Sequence, residues 1–323
     1  MLATKGEARV SLPGGCAWGP RPLDLHLKGM EMLGAEVDLD GGYIQTRVGP
    51  QGLRGGEMDF ATSSVGATAN ILMAAVRAQG RTVLENAARE PEVTQLAEAL
   101  VGAGAKIEGL GTTRLEIEGV DEIAPLDVAV IPDRIEAGTF LTGAALLRSE
   151  ITVHKLRLDH LGSTLEVLEQ CGCEMERGED WIRIDGRGVG HPVEVVTRPF
   201  PGFPTDMQAQ TMAVASRLPG ISVLTDTIYP DRFTHVAELR RLGADIRLDG
   251  NSAVVTGVEE LSGAPVMATD LRASAALILA GLAAEGETLL DRIYHIDRGY
   301  ERIEEKFAGL GARIERVAGP PTP

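Results

Sequence analysis

The sequence predicts an α/β protein of two domains that are built from a repeated unit of helices and strands. The chain has 323 residues, and a domain commonly contains roughly 100–200 residues. A motif of an amphipathic stretch, a glycine, a small residue and a short alternating strand occurs five times, at Gly34, Gly104, Gly172, Gly243 and Gly311. These glycines lie 70, 68, 71 and 68 residues apart. Such regular spacing indicates internal repetition of one structural unit.

Each repeat is expected to contain a buried helix, a strand, a loop, an amphipathic helix, the glycine and two further strands. Apolar segments that suit buried helices begin near Ser64, Glu136, Thr205 and Asp270. Strand patterns follow them at residues 81–86, 151–156, 221–226 and 287–292. The recurring glycine follows the last helical residue, where a left-handed cap is favoured. Hairpin patterns come next in most copies, as at residues 105–119 and 173–186.

The composition argues against several classes of protein. The chain has 47 acidic and 31 basic residues and a formal charge of −16, so a nucleic-acid-binding surface is not expected. The longest apolar stretch, residues 273–284, is shorter than the roughly 18–20 residues that cross a bilayer, so no membrane insertion is expected. The N-terminal segment lacks the apolar core of a signal peptide, and the three cysteines are too few and too oddly placed for a disulfide framework. Both features favour a cytoplasmic location.

Common metal and cofactor motifs are missing from the sequence. It contains no phosphate-binding loop of the G-x-x-x-x-G-K-[ST] type, no H-E-x-x-H motif and no G-x-S-x-G motif. Its six histidines are dispersed, without the spacing of a metal site. We therefore expect an enzyme that uses no metal and no cofactor.

The glycine-rich segment from Ser11 to His26 contains a candidate reactive thiol. Cys16 follows two glycines and precedes Arg21, and exposure beside a cation lowers the pKa of a thiol. The alternative is a small buried cysteine in a turn, which is how most free cysteines behave. That alternative is preferred for Cys171 and Cys173, which lie at a helix end.

Arginines and helix N-termini recur at matching places in the repeats. Arg89, Arg232 and Arg298 lie in corresponding loops, which favours a converging cationic site, although each alone could be a solvated surface residue. The buried helices begin within residues 63–66, 132–138, 203–210 and 268–274, and helix N-termini attract anions. Thr205, Asp206, Thr269 and Asp270 also suit simple capping of these helices. Arg272 opposes the helix dipole, so it gains from a bound anion or a carboxylate nearby.

The segments that carry these features resemble one known family over essentially the whole chain. The strings SLPGGCAWGPRPLDLH, SSVGAT, ENAAREPE, PDRIEAGTF, FPTDMQAQ, ATDLRASAALILAG and DRIYHIDRGYERIE occur in the order found in the UDP-N-acetylglucosamine enolpyruvyl transferases. The resemblance implies a two-domain enolpyruvyl transferase fold, an inside-out α/β barrel of βαβαββ units with the active site in the cleft. It implies transfer of enolpyruvyl from phosphoenolpyruvate to the 3′-hydroxyl of UDP-N-acetylglucosamine with release of phosphate. This is the first committed step of peptidoglycan synthesis.

The same resemblance assigns roles to individual residues. Cys16 matches the proton donor that fosfomycin alkylates, so we expect fosfomycin to label Cys16 and to spare Cys171 and Cys173. Asp206 matches the general base for the 3′-hydroxyl, and Arg298 matches a catalytic cation. The remaining residues match substrate contacts. For the nucleotide sugar these are the uridine loop at Arg21, Pro22, Leu23, Asp24 and Leu25, the diphosphate segment at Ser63, Ser64 and Val65, and a backbone contact at Ile228. Around phosphoenolpyruvate they are the cations Arg232 and Arg272, which act with Arg21 and Arg298, and Asp270 also matches a substrate contact.

The sequence departs from the family pattern in two ways. Thr62 stands where many members have a lysine that faces the nucleotide. The first repeat unit of the family, which contains a Lys-Asn pair, is not recognisable, so we expect an N-terminally truncated chain. The expected domains are then an incomplete first domain at residues 1–130, which contains the cysteine loop, and a second domain of three units at residues 131–323. The alternative function is a catalytically impaired fragment that serves at most as a UDP-sugar-binding or interaction module. The sibling enzyme that acts on shikimate 3-phosphate is disfavoured by the cysteine loop.

Overall fold

The computed structural model describes residues 1–12 and 23–317. Their contacts divide the chain into two compact units: unit 1, with described residues 1–12 and 23–131, and unit 2, with residues 132–317. The predicted domain boundary at residue 130 stays a prediction. Among the described residues, no helix has both the length and the apolar composition needed to cross a membrane.

Unit 1 alternates helices and strands as the repeat predicts. Its helices are α1 (Leu2–Lys5), α2 (Asp24–Met32), α3 (Val65–Ala75) and α4 (Pro91–Gly102). Its strands are β1 (Glu7–Ser11), β2 (Ala35–Asp40), β3 (Tyr43–Val48), β4 (Glu57–Asp59), β5 (Arg81–Glu85), β6 (Lys106–Glu108) and β7 (Arg114–Glu118). They form an antiparallel sheet in the order β1-β3-β2 and a sheet in the order β4-β5-β7-β6, in which β4 and β5 are parallel.

Helix α3 lies at the centre of unit 1. Ser64 caps its N-terminus, and its buried face of Ala67, Ile71, Leu72 and Ala75 belongs to the apolar core. Helix α2 approaches it closely at Gly29, where an added Cβ atom would lie 2.1 Å from the Ile71 side chain. A side chain at that position would force Ile71 to shift.

Unit 2 contains the same arrangement in a longer form. Its helices are α5 (Arg134–Leu146), α6 (Gly162–Cys171), α7 (Gln208–Ala215), α8 (His235–Arg241), α9 (Leu271–Ala283) and α10 (Ile303–Gly309), with 3₁₀ turns at Leu158–His160, Thr205–Met207 and Ile293–Arg298. Its strands are β8 (Glu150–His154), β9 (Glu174–Arg177), β10 (Trp181–Asp185), β11 (Glu194–Val196), β12 (Ile221–Thr225), β13 (Asp245–Asp249), β14 (Ser252–Thr256), β15 (Leu261–Ser262), β16 (Pro265–Met267), β17 (Ala284–Glu285) and β18 (Leu289–Asp291).

The core of unit 2 is made of helices, and its sheets lie outside them. Helices α5, α7 and α9 contact one another, and every residue of α7 is buried. The sheets have the orders β8-β10-β9 and β11-β12-β14-β13, with the parallel pairs β15–β17 and β16–β18. On β10, Ile182 and Ile184 are buried while Arg183 between them is exposed, so the sheet buries one face only. The predicted α/β class with buried helices is confirmed.

The five repeat glycines adopt the predicted left-handed backbone. The φ angles are +87° at Gly34, +102° at Gly104, +104° at Gly172, +92° at Gly243 and +96° at Gly311. The first four precede strands β2, β6, β9 and β13. A strand was also predicted after Gly311. This prediction is wrong for residues 312–317, which pair with no described strand.

Candidate active site

A largely buried cluster of charges in unit 2 joins one carboxylate to two arginines. Arg232 Nη1 lies 2.6 Å from Asp206 Oδ1, and Arg272 Nη2 lies 3.0 Å from Asp206 Oδ2. Arg272 Nε also donates to Asp206 Oδ2 over 3.1 Å. The arginine side chains are 7% and 12% exposed, whereas that of Asp206 is 37% exposed. The structure therefore brings together three of the residues that the sequence singled out.

Each member of the cluster is fixed by local structure. Asp206 lies in the turn Thr205–Met207 that precedes α7. Arg272 is the second residue of α9, whose N-cap Asp270 accepts hydrogen bonds from the backbone N–H groups of Arg272 (2.9 Å) and Ala273 (3.1 Å). Asp270 is thus a helix cap, while Asp206 pairs with arginines instead of capping α7. The nearby carboxylate from which Arg272 gains is Asp206.

The two arginines control the ionisation of Asp206. Burial alone acts to raise the pKa of this carboxyl, but the charges and hydrogen bonds of Arg232 and Arg272 outweigh it and lower the pKa to about 2. Burial also acts to lower the pKa of Arg272, and Asp206 reverses that effect and raises it. Asp206 is therefore a carboxylate, and Arg272 a cation, at neutral pH.

A buried polar network supports Arg272 from the interior. The Tyr300 ring lies 5.5 Å from the Arg272 guanidinium carbon, and the Tyr300 hydroxyl lies 2.7 Å from Thr139 Oγ1. Gln210 Nε2 donates to the same Thr139 oxygen over 3.1 Å. These three side chains are at most 1% exposed. They hold one face of Arg272, whose buried Nη1 has no hydrogen-bond partner within the described chain.

Two guanidinium groups and one carboxylate give this cluster a net positive charge. Two guanidinium groups beside one partly exposed carboxylate therefore suit a substrate that is itself an anion.

His235, the first residue of α8, lies in the same region. It is 1% exposed, and burial lowers its pKa to about 4, which outweighs the opposing influence of Asp270. Its Nε2 atom is buried without a hydrogen-bond partner among the described residues. The imidazole is neutral at pH 7 and adds no charge to the cluster.

The predicted arginines do not all join this cluster. Arg298 ends the turn Ile293–Arg298 with an exposed side chain and has no ion pair or hydrogen bond to any described residue. Arg89 of unit 1 is also exposed. Ile228 is half-buried in the loop between β12 and α8, the loop that contains Arg232.

The candidates in unit 1 lie at two helix starts. Leu23 is the N-cap of α2, Asp24 and Leu25 are its first residues, and Ser63 and Val65 flank the Ser64 cap of α3. The two starts are close together, because an added Cβ atom on Gly66 would lie 3.2 Å from the ring of His26. His26 Nδ1 lies 2.8 Å from Asn70 Nδ2 of α3. Thr62 is exposed.

The predicted cysteine loop falls within residues 13–22, which the structure does not describe. Cys16, Arg21 and Pro22 lie outside the described residues, so their predicted roles stay predictions. Cys171 and Cys173 are buried free thiols, and burial raises the pKa of each to about 12. In the described ranges no group of three or more His, Cys, Asp or Glu residues is placed to hold a metal ion. The expectation of a reaction without metal or cofactor stays a prediction.

Sequence reasoning missed the uncharged members of the site. Thr139 and Gln210 lie inside apolar helices, where a polar residue draws little attention, and Tyr300 follows a charged loop. A useful signal was available, because Gln208, Gln210 and Thr211 interrupt an otherwise apolar buried helix. Buried polar groups of this type are normally hydrogen-bonded to one another.

Comparison with sequence families and curated proteins gives consistent matches. The family model of EPSP synthase (3-phosphoshikimate 1-carboxyvinyltransferase) matches residues 1–307. A UDP-N-acetylglucosamine 1-carboxyvinyltransferase from Granulibacter bethesdensis is 54% identical over 99% of this chain and 76% of its own length. Proteins of the same name from Paramagnetospirillum magneticum (54% identical, 98% and 73% covered) and Azorhizobium caulinodans (52% identical, 99% and 74% covered) are similar. The chain spans about three quarters of the length of these relatives.

Solved structures show the same fold. The enolpyruvyl transferase NikO from Streptomyces tendae superposes with a TM-score of 0.86 at 26% identity, covering 99% of this chain and 76% of that chain. EPSP synthase from Acinetobacter baumannii gives a TM-score of 0.66 at 19% identity, covering 95% of this chain and 74% of that chain, which concerns the fold alone. The two-domain enolpyruvyl transferase fold predicted for this chain is confirmed.

Proposed function

This chain belongs to the EPSP synthase family, and we propose that it transfers the enolpyruvyl group of phosphoenolpyruvate to the 3′-hydroxyl of UDP-N-acetylglucosamine. The observation that carries the proposal is the ionised Asp206 between the cations Arg232 and Arg272. The name shared by relatives that are 52–54% identical favours this acceptor over shikimate 3-phosphate. It also favours an enzyme over an impaired fragment that only binds a UDP-sugar.

The reaction divides into an addition and an elimination. Asp206 accepts the proton of the sugar 3′-hydroxyl while the oxygen attacks C2 of phosphoenolpyruvate and Cys16 donates a proton to C3. The Cys16 thiolate then takes a proton from C3, and the C2–O bond breaks with its electron pair going to phosphate. The phosphate accepts the proton held by Asp206, so that the enolpyruvyl ether and phosphate are released and both side chains are restored. Arg232 and Arg272, with Arg298 and Arg21, are assigned to the phosphate and carboxylate charges, which preorganised cations stabilise in the transition state.

The two arginines also explain how Asp206 becomes basic enough. A carboxylate whose pKa is about 2 is fully ionised at neutral pH but holds a proton weakly. A phosphoenolpyruvate anion that binds the same guanidinium groups offsets their charge, so the pKa of Asp206 rises when the substrate arrives. General bases are most effective when their pKa approaches the working pH. Substrate binding thus activates the base.

The unit 1 residues are assigned to the nucleotide. The N-terminus of α3 at Ser63, Ser64 and Val65 offers unpaired N–H groups and the positive end of a helix dipole, which suits the diphosphate. Leu23, Asp24 and Leu25 at the start of α2, with Arg21 and Pro22, are assigned to uridine, and the backbone of Ile228 to the sugar nucleotide. We further propose a cytoplasmic enzyme of peptidoglycan synthesis, whose partners are these two small molecules.

A phosphate-release assay tests the proposal. With UDP-N-acetylglucosamine and phosphoenolpyruvate the protein is expected to release phosphate, and with shikimate 3-phosphate as acceptor it is not. Asp206→Asn keeps the shape but removes the base, so kcat should fall by about 10²–10⁴-fold. Asp185→Asn, at the end of strand β10, is the matched control and should keep full activity. No turnover by the folded wild-type protein, or equal turnover with both acceptors, contradicts the proposal.

A further inference from the structure

Asp226 is a buried carboxylate that the proposed reaction leaves without a role. It follows β12 and is 0% exposed, yet no lysine or arginine among the described residues forms an ion pair with it. Burying a carboxylate is costly unless hydrogen bonds satisfy it. An interior carboxyl group that is held by hydrogen bonds alone points to a positional task.

Four donors from two segments converge on this carboxylate. Oδ1 accepts from the backbone N–H groups of Ile228 (2.9 Å) and Tyr229 (2.8 Å) and from the Thr197 hydroxyl (2.9 Å). Oδ2 accepts from the Thr205 hydroxyl over 2.6 Å. Ile228 is the proposed nucleotide contact, and Thr205 immediately precedes the proposed base Asp206.

The Thr205 hydroxyl extends the link to the arginine cluster. A threonine hydroxyl has one proton, and here Asp226 Oδ2 receives it, so the oxygen is free to accept. It accepts a hydrogen bond from Arg232 Nη1 over 3.1 Å, and the same Nη1 lies 2.6 Å from Asp206 Oδ1. The direction of donation therefore runs from Arg232 through Thr205 to Asp226.

We infer that Asp226 is a positioning residue that fixes the turn of the base Asp206 and the nucleotide-contact loop at Ile228 relative to each other. This inference rests on the proposed function. One oxygen of Asp226 orders the loop, and the other sets the proton of Thr205 and thereby the orientation of Arg232. Its own backbone is held as well, because its N–H donates to the Asn251 carbonyl (2.9 Å) and its carbonyl accepts from Asn251 Nδ2 (3.1 Å).

Three variants separate the two halves of this role. Asp226→Asn replaces one accepting oxygen by an NH₂ donor, so it disturbs the turn of Asp206 or the loop at Ile228 directly and weakens the link between them. Thr205→Val removes the hydroxyl that joins Asp226 Oδ2 to Arg232 Nη1. It leaves the hydrogen bonds from Ile228 and Tyr229 to Asp226 in place. Thr205→Ser keeps the hydroxyl. Asp185→Asn serves again as the carboxylate control, since Asp185 pairs with the surface residue Arg187.

The experiment measures kcat, the KM of both substrates, and the calorimetric Kd of UDP-N-acetylglucosamine, on protein whose folded fraction is known. For Asp226→Asn we expect kcat to fall and the Kd to rise, each by about 10–100-fold, as for other supporting hydrogen bonds. Thr205→Val should lower kcat by about tenfold or more with an unchanged Kd. Thr205→Ser should restore most of that loss.

The outcomes distinguish this inference from the proposed function. If the wild-type protein neither releases phosphate nor binds the nucleotide sugar, the proposed function fails, and the inference with it. If the wild-type protein is active, and the folded Asp226→Asn variant has the same kcat and Kd as the wild type, only the inference is overturned. A lower melting temperature with unchanged constants per folded molecule shows a merely structural role and overturns it too. If the Kd of UDP-N-acetylglucosamine rises as much in Thr205→Val as in Asp226→Asn, the bonds of Asp226 to Thr205 and to the Ile228 loop do not have separate roles, which contradicts the inference.

Discussion

Units 1 and 2 share a repeat but differ in what they place inside it. In unit 2, the buried helices α5, α7 and α9 contain Thr139, Gln210 and Arg272, which form part of the polar network around Asp206. In unit 1, the buried positions of α3 are apolar except for Thr68, whose hydroxyl accepts the N–H of Ala88 over 3.0 Å. The backbone of the repeat is therefore a common scaffold, and polar residues inside its helices determine where a charged site forms.

One sheet of unit 1 is covered less well than the sheet of unit 2 that contains β12 and β14. In the sheet β1-β3-β2 of unit 1, Val10 is 54% and Leu39 is 58% exposed. In unit 2, the central strand β14 buries Ala253 and Val255 completely. Because burial of apolar surface is the main stabilising contribution, the sheet β1-β3-β2 should open more readily than the sheet that contains β12 and β14.

The largest expected effect separates site arginines from scaffold arginines. Arg272→Met removes a charge that preorganises the site, so kcat in the phosphate-release assay should fall by about 10²–10³-fold. Arg114→Met removes a unit 1 arginine that pairs with Glu85 and Glu116 on an exposed sheet, and it should leave kcat unchanged. Comparable losses in both variants would show that the charged site does not belong to unit 2 alone.

The next effect concerns the buried histidine of unit 2. His235 has a pKa of about 4 in the fold, against about 6.5 in the unfolded chain. Between these pH values the unfolded chain binds more protons, so the free energy of unfolding decreases as the pH falls from about 6.5 to 4, by up to about 1.4 kcal/mol per pH unit. His235→Gln should remove this part of the slope in urea unfolding measured across that range.

His26 of unit 1 is the matched comparison for this pH dependence. Burial lowers its pKa too, against the influence of Asp24, but the ring is only half-buried. His26→Gln should therefore change the slope less than His235→Gln does. An equal change in both variants, or a slope that neither variant alters, would be at odds with the buried neutral imidazole.

A third comparison uses two of the repeat glycines. Alanine at a left-handed position costs roughly 1–2 kcal/mol, so Gly34→Ala and Gly172→Ala should both lower the free energy of unfolding. At Gly172 the added Cβ atom would also lie 2.8 Å from the Gly188 carbonyl oxygen, whereas at Gly34 the nearest atom is 4.0 Å away. Gly172→Ala should therefore be the more destabilising variant in thermal unfolding. If both variants lose the same free energy of unfolding, the loop at Gly188 moves away from the added Cβ atom at no cost.

The smallest expected effect is a difference in local opening. Amide hydrogens of β1, β2 and β3 in unit 1 should exchange at least about tenfold faster than those of β12 and β14 in unit 2, since local stability follows burial. Hydrogen exchange monitored by mass spectrometry resolves these segments. Equal protection of β1, β2 and β3 and of β12 and β14 would contradict the expected difference in local stability.

The repeat was predictable from the sequence because backbone requirements leave a local mark. All five glycines have the positive φ that their position after a helix requires, and Ser64 and Asp270 cap the helices that were expected to start there. The helix expected near Glu136 begins at Arg134, and a 3₁₀ turn at Thr205 precedes α7. Such shifts arise because caps and turns fix helix ends more sharply than apolar periodicity does.

The site was only partly predictable, because its geometry joins residues that are far apart in the chain. Asp206, Arg232 and Arg272 could be named from their loops, but not the ion pairs between them. Asp226 ends an ordinary strand pattern, and the significance of its side chain depends on Thr205 and Ile228 lying beside it in space. Arg298 shows the converse, since its loop matches the others while its exposed side chain forms no ion pair or hydrogen bond with a described residue.

The most direct test of the account is the ionisation of Asp206 with and without phosphoenolpyruvate. The carboxyl carbon can be followed by ¹³C NMR in aspartate-labelled protein between pH 7 and pH 4, with Asp206→Asn to assign the signal. We predict that the signal of the free protein stays that of the carboxylate throughout, because Arg232 and Arg272 lower its pKa to about 2. Saturating phosphoenolpyruvate should raise that pKa. A free-protein pKa near the ordinary value, or no upward change when phosphoenolpyruvate is bound, would contradict the substrate-activated base.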